Sequence, residues 1–364
     1  MASDAELATQ RQASDGPKVP RRPDETFVRA HKRWRGPTYY DRPQLKPAPF
    51  ENAVVGSYVF VAGLSGATAL LAALADLAGG RAATRTVRHG RYLSLLAATI
   101  GPLLLIYDLR TPRRFYNMLR VAKRTSPMSI GTWILMTYSG FAFPIAGAQF
   151  LSDRVRWLRW LRGLARLGQV PAALAGMGLS TYTASLFSAT STPLWAAAPK
   201  ALAVRFGSSS LASGAAALAL CEGHGRSRKV LDAVAVAALT AELAATVQSR
   251  ATYRRTGVDD ALSSTWGRVE QAGGTEVGVV APLVLYALSA VLGGRASGLS
   301  RAASYATLVG SLLFRIGFMG AGDVSAERPE ISFGFSQPEN LPDRLQRPRA
   351  SRATRPVPSR SGKR

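Results

Sequence analysis

Polar and apolar residues fall into long separate blocks along this chain. Positions 53–75, 125–152 and 167–199 contain no charged residue, while the segments between apolar runs are dense in arginine. A bilayer core about 30 Å thick is crossed by about 20 apolar residues in helical form, so each of these stretches predicts a membrane-spanning helix. Further apolar runs at 92–109, 201–221, 230–248, 277–294 and 302–322 bring the expected spans to eight. The strict alternation of a membrane β-barrel, the other structure that satisfies its backbone in hydrocarbon, is absent. The expected fold class is therefore an all-α integral membrane protein. Its runs are rich in Ala, Gly and Ser, and Gly56, Gly63, Gly66, Gly176 and Gly178 suit close helix contacts, since packing of small residues draws helices together in lipid.

Averages conceal this pattern. The mean hydropathy is only +0.05, because a net charge of +24 is concentrated in the two ends and the connections. Residues 1–50 and 323–364 are rich in Pro and Arg without periodicity, and are expected to be disordered basic tails. That leaves 51–322 as the membrane domain. The tails suit anionic lipid headgroups; without a folded reader or interleaved aromatic residues, no nucleic-acid partner is expected. An even number of spans puts both termini on one side. Lys32, Arg33, Arg35, Arg42 and Lys46 beside the first span favour the cytoplasm. No cleavable signal peptide is expected, since the first apolar run begins only near residue 53.

Cysteine and histidine restrict the redox chemistry. Cys221 stands alone, which leaves no internal disulfide, cysteine-ligated cluster or zinc site. His31, His89 and His224 all lie outside the apolar runs, so no span offers an axial haem ligand. The chain is expected to carry neither haem nor metal.

Charges inside or at the ends of spans need a reason, because they are costly in lipid. Asp108 closes the second span, Glu51 and Asn52 open the first, and Tyr182 lies toward the same edge on the fourth. Asp108 either pairs with Arg110 or Arg114 or exchanges protons with a ligand. Glu242 and Arg315 fall at comparable depth on spans that run in the same direction. They are expected to form a buried ion pair, with a proton relay as the alternative.

One stretch carries more information than the rest: Asp108-Leu-Arg-Thr-Pro-Arg-Arg-Phe115, followed by Ser126-Pro-Met-Ser129. With Val61-Ala-Gly63-Leu-Ser-Gly66, Tyr182-Thr183, Pro193-Leu-Trp195, Ser208 to Gly214 and Leu313-Phe-Arg315, it resembles the polysulfide-reductase membrane-subunit family (NrfD/PsrC type) from about residue 51 to 322. The resemblance implies two four-helix bundles in a prokaryotic cell membrane. It also implies a quinone cofactor (menaquinone or ubiquinone) in the first bundle, at the docking surface of a ferredoxin-like iron–sulfur subunit that is wired to a molybdopterin-type catalytic subunit. On that basis Tyr182 bonds a quinone carbonyl, Asn52 and Glu51 supply further contacts, and Asp108 exchanges protons. Arg110, Pro112, Arg114, Phe115, Ser126, Pro127 and Met128 form the interface motif. Two other readings stay open: a secondary transporter or proton channel, which would break its helices near the midplane, and a structural anchor that turns over no quinone.

Overall fold

The computed structural model describes residues 45–78, 83–109, 111–223, 225–292, 297–337 and 340, and among these every regular element is helical. Eight long helices follow one another: α1 Asn52–Ala78, α2 Thr84–Asp108, α3 Pro127–Arg154, α4 Leu161–Ser188, α5 Pro199–Cys221, α6 Arg226–Thr256, α7 Thr265–Leu292 and α8 Ser297–Glu327. Six of them, all but α4 and α5, are long and apolar enough to cross a membrane. The apolar requirement applies to surface that meets lipid, and α5 has little of it. It packs against α1, α4, α6 and α8, and its Ser209, Ser210 and Ser213 are buried in protein.

α1 is the other central helix, in contact with α2, α4, α5 and α8. Its contact with α4 is made backbone to backbone. A Cβ added at Gly176 would lie 2.8 Å from the Gly66 carbonyl oxygen, a separation no side chain tolerates. The α7–α8 contact repeats this: a Cβ at Gly278 would lie 2.7 Å from Gly310 Cα. Gly178 is different, since its Cβ would meet Ile134 at an ordinary 3.5 Å.

Several helices exceed the apolar runs that predict them. α2 begins at Thr84 rather than 92 and breaks at Ser94 into Thr84–Leu93 and Leu95–Asp108. The break is bonded across helices: Ala97 N–H donates to Ser65 Oγ (2.9 Å), and the Tyr138 hydroxyl lies 2.9 Å from the Ser94 carbonyl. α4 starts at Leu161 and stops at Ser188, short of the expected 199. A turn and the buried helix Pro193–Ala196 follow, where Trp195 Nε1 donates to the Phe318 carbonyl (3.2 Å). α7 starts at Thr265, and its Val269–Val280 portion is a π-helix, the wider coil that is rare at this length. α8 runs past 322 to Glu327, and the helix Pro329–Ser336 continues it. Residues 323–336 therefore do not belong to a solvated tail, because Ile331 and Phe335, one turn apart, bury in the main core. Of the rest of the expected tails, 1–44, 338–339 and 341–364 lie outside the described residues.

Extending α7 brings Glu270 inside the protein, where it pairs with Arg205 of α5, both side chains about 2% exposed. Arg250 of α6 approaches the same carboxylate at 3.4 Å and Thr275 at 3.2 Å. The pair expected from depth, Glu242 with Arg315, is buried as its depth requires but is not in direct contact. The Arg315 guanidinium bonds Ser209 (3.2 Å), Ser210 (2.9 Å) and the Ser311 carbonyl (2.9 Å). Glu242 stands within electrostatic reach of both Arg205 and Arg315. Serines of α5 and of α8 itself take the two terminal nitrogens of the guanidinium, while its Nε is buried without a partner.

Two stability predictions follow. Glu270→Gln leaves Arg205 buried without its counter-charge, which costs about 3–5 kcal/mol. Arg205→Met alone will cost less, because Arg250 remains beside Glu270, and the double variant will recover part of the loss. Thermal unfolding in detergent reads this out; strictly additive losses would exclude the coupling. Gly176→Ala will lower stability by about 1–3 kcal/mol through forced separation of α1 and α4, while Gly178→Ala will stay close to wild type in the same assay.

Candidate functional site

α1, α2, α3, α4 and α8 meet at one membrane edge: the starts of α1 and α3 and the ends of α2, α4 and α8. An α-helix leaves its first backbone N–H groups without intrahelical acceptors, and here acids from other helices accept from the residue that flanks the start of α1 and from the segment before it. Asp108 Oδ1, at the end of α2, accepts the Glu51 N–H (3.0 Å). Asp323 Oδ1, near the end of α8, accepts the Ala48 N–H (3.2 Å), and its Oδ2 accepts from Asn52 Nδ2 (2.9 Å). Asn52 Oδ1 is buried without a partner. Of the two roles open to Asp108, pairing with Arg114 is not realised. Arg110 lies outside the described residues.

Deeper in the same helices, the Tyr58 and Tyr182 hydroxyls lie 3.0 Å apart, one donating to the other. Tyr58 is buried and Tyr182 half-buried. The Tyr182 ring occupies the space a side chain at residue 131 would need, so Gly131 on α3 makes room for it. Gly101 on α2 lies against the Tyr58 ring. In such a pair only one O–H proton is used between the hydroxyls, so one remains free to donate. On the outer side of α3 and α4 a cavity of about 400 Å³ is lined by Lys123, Arg124, Ser129, Trp133, Leu174 and Gly178 among others. Gly178 precedes Tyr182 by four residues, one helical turn on the same face.

The structure joins Tyr182 to Tyr58, Asn52 to Asp323 and Asp108 to Glu51, and bonds none of Tyr182, Asn52 and Asp108 to one another. Asn52 and Tyr58, six residues apart on α1, point about 120° apart around the helix; one meets α8, the other α2 and α4.

The interface motif folds as an exposed connection. Pro112–Arg114 forms a 3₁₀ turn, the Phe115 and Tyr116 rings meet edge to face with centroids 6.4 Å apart, and a short helix Tyr116–Arg120 follows. Arg114, Phe115 and Met128 are exposed to solvent. Ser126 caps α3, its Oγ accepting the Ser129 N–H at 3.4 Å, and Pro127 occupies the first helical position. Ser129 Oγ donates to the Val121 carbonyl (2.8 Å) and accepts the Lys123 N–H (2.9 Å). Ser126-Pro-Met-Ser129 thus starts the helix and pins the loop that precedes it.

Tyr58, Asp323 and Glu327 at this edge were not singled out from sequence. Tyr58 is the only tyrosine of the first apolar run, a signal that an aromatic hydroxyl there needs a partner. Asp323 and Glu327 lie where the apolar pattern of the last span gives way to charge, within the expected tail.

No curated protein sequence matches the chain. The family described as polysulphide reductase, NrfD matches residues 43–326, from just before α1 to the last residues of α8. With its apolar helices, the chain therefore belongs to the polysulphide reductase NrfD family and is an integral membrane subunit of a respiratory oxidoreductase.

Proposed function

We propose that this subunit binds a membrane quinone at the edge formed by α1–α4 and passes electrons between it and a ferredoxin-like iron–sulfur subunit, itself wired to a molybdopterin-type catalytic subunit. In this reading all eight long helices span the bilayer, in two groups of four, with both termini cytoplasmic. The observation that carries it is the Tyr58–Tyr182 hydroxyl pair, one helical turn from a lipid-side cavity.

The polar atoms at this edge fit a quinone head group. The tyrosine pair retains one O–H to donate to a carbonyl oxygen, whereas Asn52, turned toward α8, stands outside that contact. The apolar walls offered by Ile130, Trp133 and Leu174 suit an isoprenoid tail entering from lipid. When bound, the quinone supplies two-electron, two-proton redox chemistry; the chain orients the ring, keeps bulk water away and exchanges protons. Asp108, at the end of α2 and half-exposed, is the proton exchanger in this reading. The exposed connection 111–126, with its basic and aromatic side chains, is the surface offered to the iron–sulfur partner.

Loss of a hydrogen bond to a group that develops negative charge costs about 1.5–3 kcal/mol, roughly ten- to a hundredfold in rate. Tyr182→Phe will slow quinol-linked turnover of the assembled complex by this factor while assembly stays intact, since the ring still packs on Gly131. Tyr58→Phe, which breaks the same pair, will have an effect of the same sign. Wild-type turnover and quinone affinity in both variants would remove the tyrosines from the site. Asp108→Asn retains an acceptor for the Glu51 N–H, so a fall in turnover without loss of folded protein reports proton exchange and not helix capping.

Reporter fusions at the two chain ends will both read cytoplasmic. Readings that disagree with each other would refute an even number of spans, and two external readings would reverse the orientation alone.

A further inference from the structure

The opposite edge of α1–α4 holds a second polar site, to which the quinone reading assigns no role. A cavity of about 380 Å³ lies between the end of α1, the start of α2, the end of α3 and the start of α4. Its charged walls are Arg88, Arg91, Arg162 and Arg166 against Asp76 and Asp153. Four guanidinium groups face two carboxylates, a surplus of two positive charges (4 − 2) around one cavity.

The carboxylates are already shared. Asp76 accepts from Arg166 (2.8 Å) and Arg91 (3.3 Å). Asp153 accepts from Arg88 (2.9 Å) and Arg162 (3.0 Å), and also from Gln149 (2.9 Å) and Tyr92 (3.2 Å). Arg91 is the anchor: it is 5% exposed, and its other donors meet neutral oxygens, Gln149 Oε1 at 2.8 Å and Gln169 Oε1 at 2.6 Å. Beside it Gln169 Nε2 is a buried donor with no partner. The cluster is thus rich in donors, poor in acceptors and held rigid by hydrogen bonds. Planar guanidinium forks match the oxygens of a phosphate group.

The surroundings indicate the source of that phosphate. The next connection exposes Trp157 (77%) and Trp160 (60%), residues enriched at the membrane–water boundary. Below them Leu164 and Leu167 of α4 are exposed on the apolar side. The cavity therefore lies at the level of these tryptophans, and exposed Leu167 follows its Gly163 wall by one turn of α4.

We propose that this cavity is a binding site for a phosphate-bearing anion, supplied by the headgroup of an anionic phospholipid. It stands independently of the quinone site, at the other end of the same four helices.

The test uses the full chain with Arg162 and Arg166 both changed to Gln. These side chains are 47% and 65% exposed, and removing both cancels the surplus charge. A second variant, Arg88→Gln, removes one cavity arginine while leaving the buried Arg91 and its glutamine partners in place. Binding of a short-chain phosphatidylglycerol to the detergent-purified protein is measured by native mass spectrometry, with phosphatidylcholine as the neutral control. The wild type will bind phosphatidylglycerol at least about tenfold more tightly than phosphatidylcholine, and the double variant will lose that preference, since basic residues near a headgroup carry the attraction to anionic lipid. Arg88→Gln will lose part of it. Inorganic phosphate, added alone, will bind weakly. If it instead binds as tightly as the lipid and the variants abolish it, the anion site stands and its occupant is soluble. Equal binding of both lipids by the wild type, or an undiminished preference in the double variant, would overturn the proposal.

Discussion

In hydrocarbon two helices gain little from hiding apolar surface, so what holds them is how closely their backbones can approach. The contact of α1 with α4 at Gly66 and Gly176 is the point on which the rest of this structure depends. It brings α4 close enough for the Ser180 hydroxyl to reach the Gly63 carbonyl at 3.1 Å, and holds Tyr182 within bonding distance of Tyr58. On its other faces α1 meets α5 and α8, where Gly63 leaves room for Ser210 and the Arg315 guanidinium. A larger residue at these crossings would push apart the groups that satisfy the buried arginine.

Close packing also settles how charge is stored inside the protein. The second half of the chain buries Arg205, Glu242, Glu270 and Arg315. None is left to lipid, yet they are accommodated by different means, with Glu242 within electrostatic reach of both arginines. Arg205 and Glu270 pair directly, with Arg250 alongside; Arg315 is bonded by serines and lies near the Phe206 ring, whose centroid is 5.6 Å from its guanidinium carbon. Both devices need partners on separate helices held at fixed separation. A π-helical stretch of α7, with Gly273, Gly274 and Gly278 turned to α8, provides that fit beside Glu270.

The two ends of the first four helices gather different groups. One edge gathers Glu51, Asp108 and Asp323, whose carboxylates or backbone close the start of α1. The other gathers Arg88, Arg91, Arg162 and Arg166 around two aspartates. Because successive helices run in opposite directions, residues far apart in sequence are brought to one edge: Asp76 and Arg166 are 90 positions apart and bonded. Carboxylates beside an exposed basic connection at one edge, and a guanidinium cluster with spare donors at the other, present different chemistry at the two ends of the same helices.

Much of this was legible along the chain. Apolar blocks long enough to span a bilayer require helices, whatever their neighbours. The order of Asp108 to Phe115, Ser126 to Ser129, Tyr182 and Arg315 was enough to reveal the family. Helix limits were less legible, because a span continues beyond its apolar run wherever polar residues find partners in protein. Arg88, Arg91, Glu270 and Asp323 lie in such continuations. Which charge meets which was not legible at all. Depth along a span suggested Glu242 with Arg315, whereas pairing depends on the rotation and adjacency of helices, and these placed Glu270 on Arg205 and three serines around Arg315. Tyr58 opposite Tyr182 and Asp323 opposite Asn52 were decided in the same way: sequence determined which groups had to be satisfied within the membrane, and only the packed bundle determined by whom.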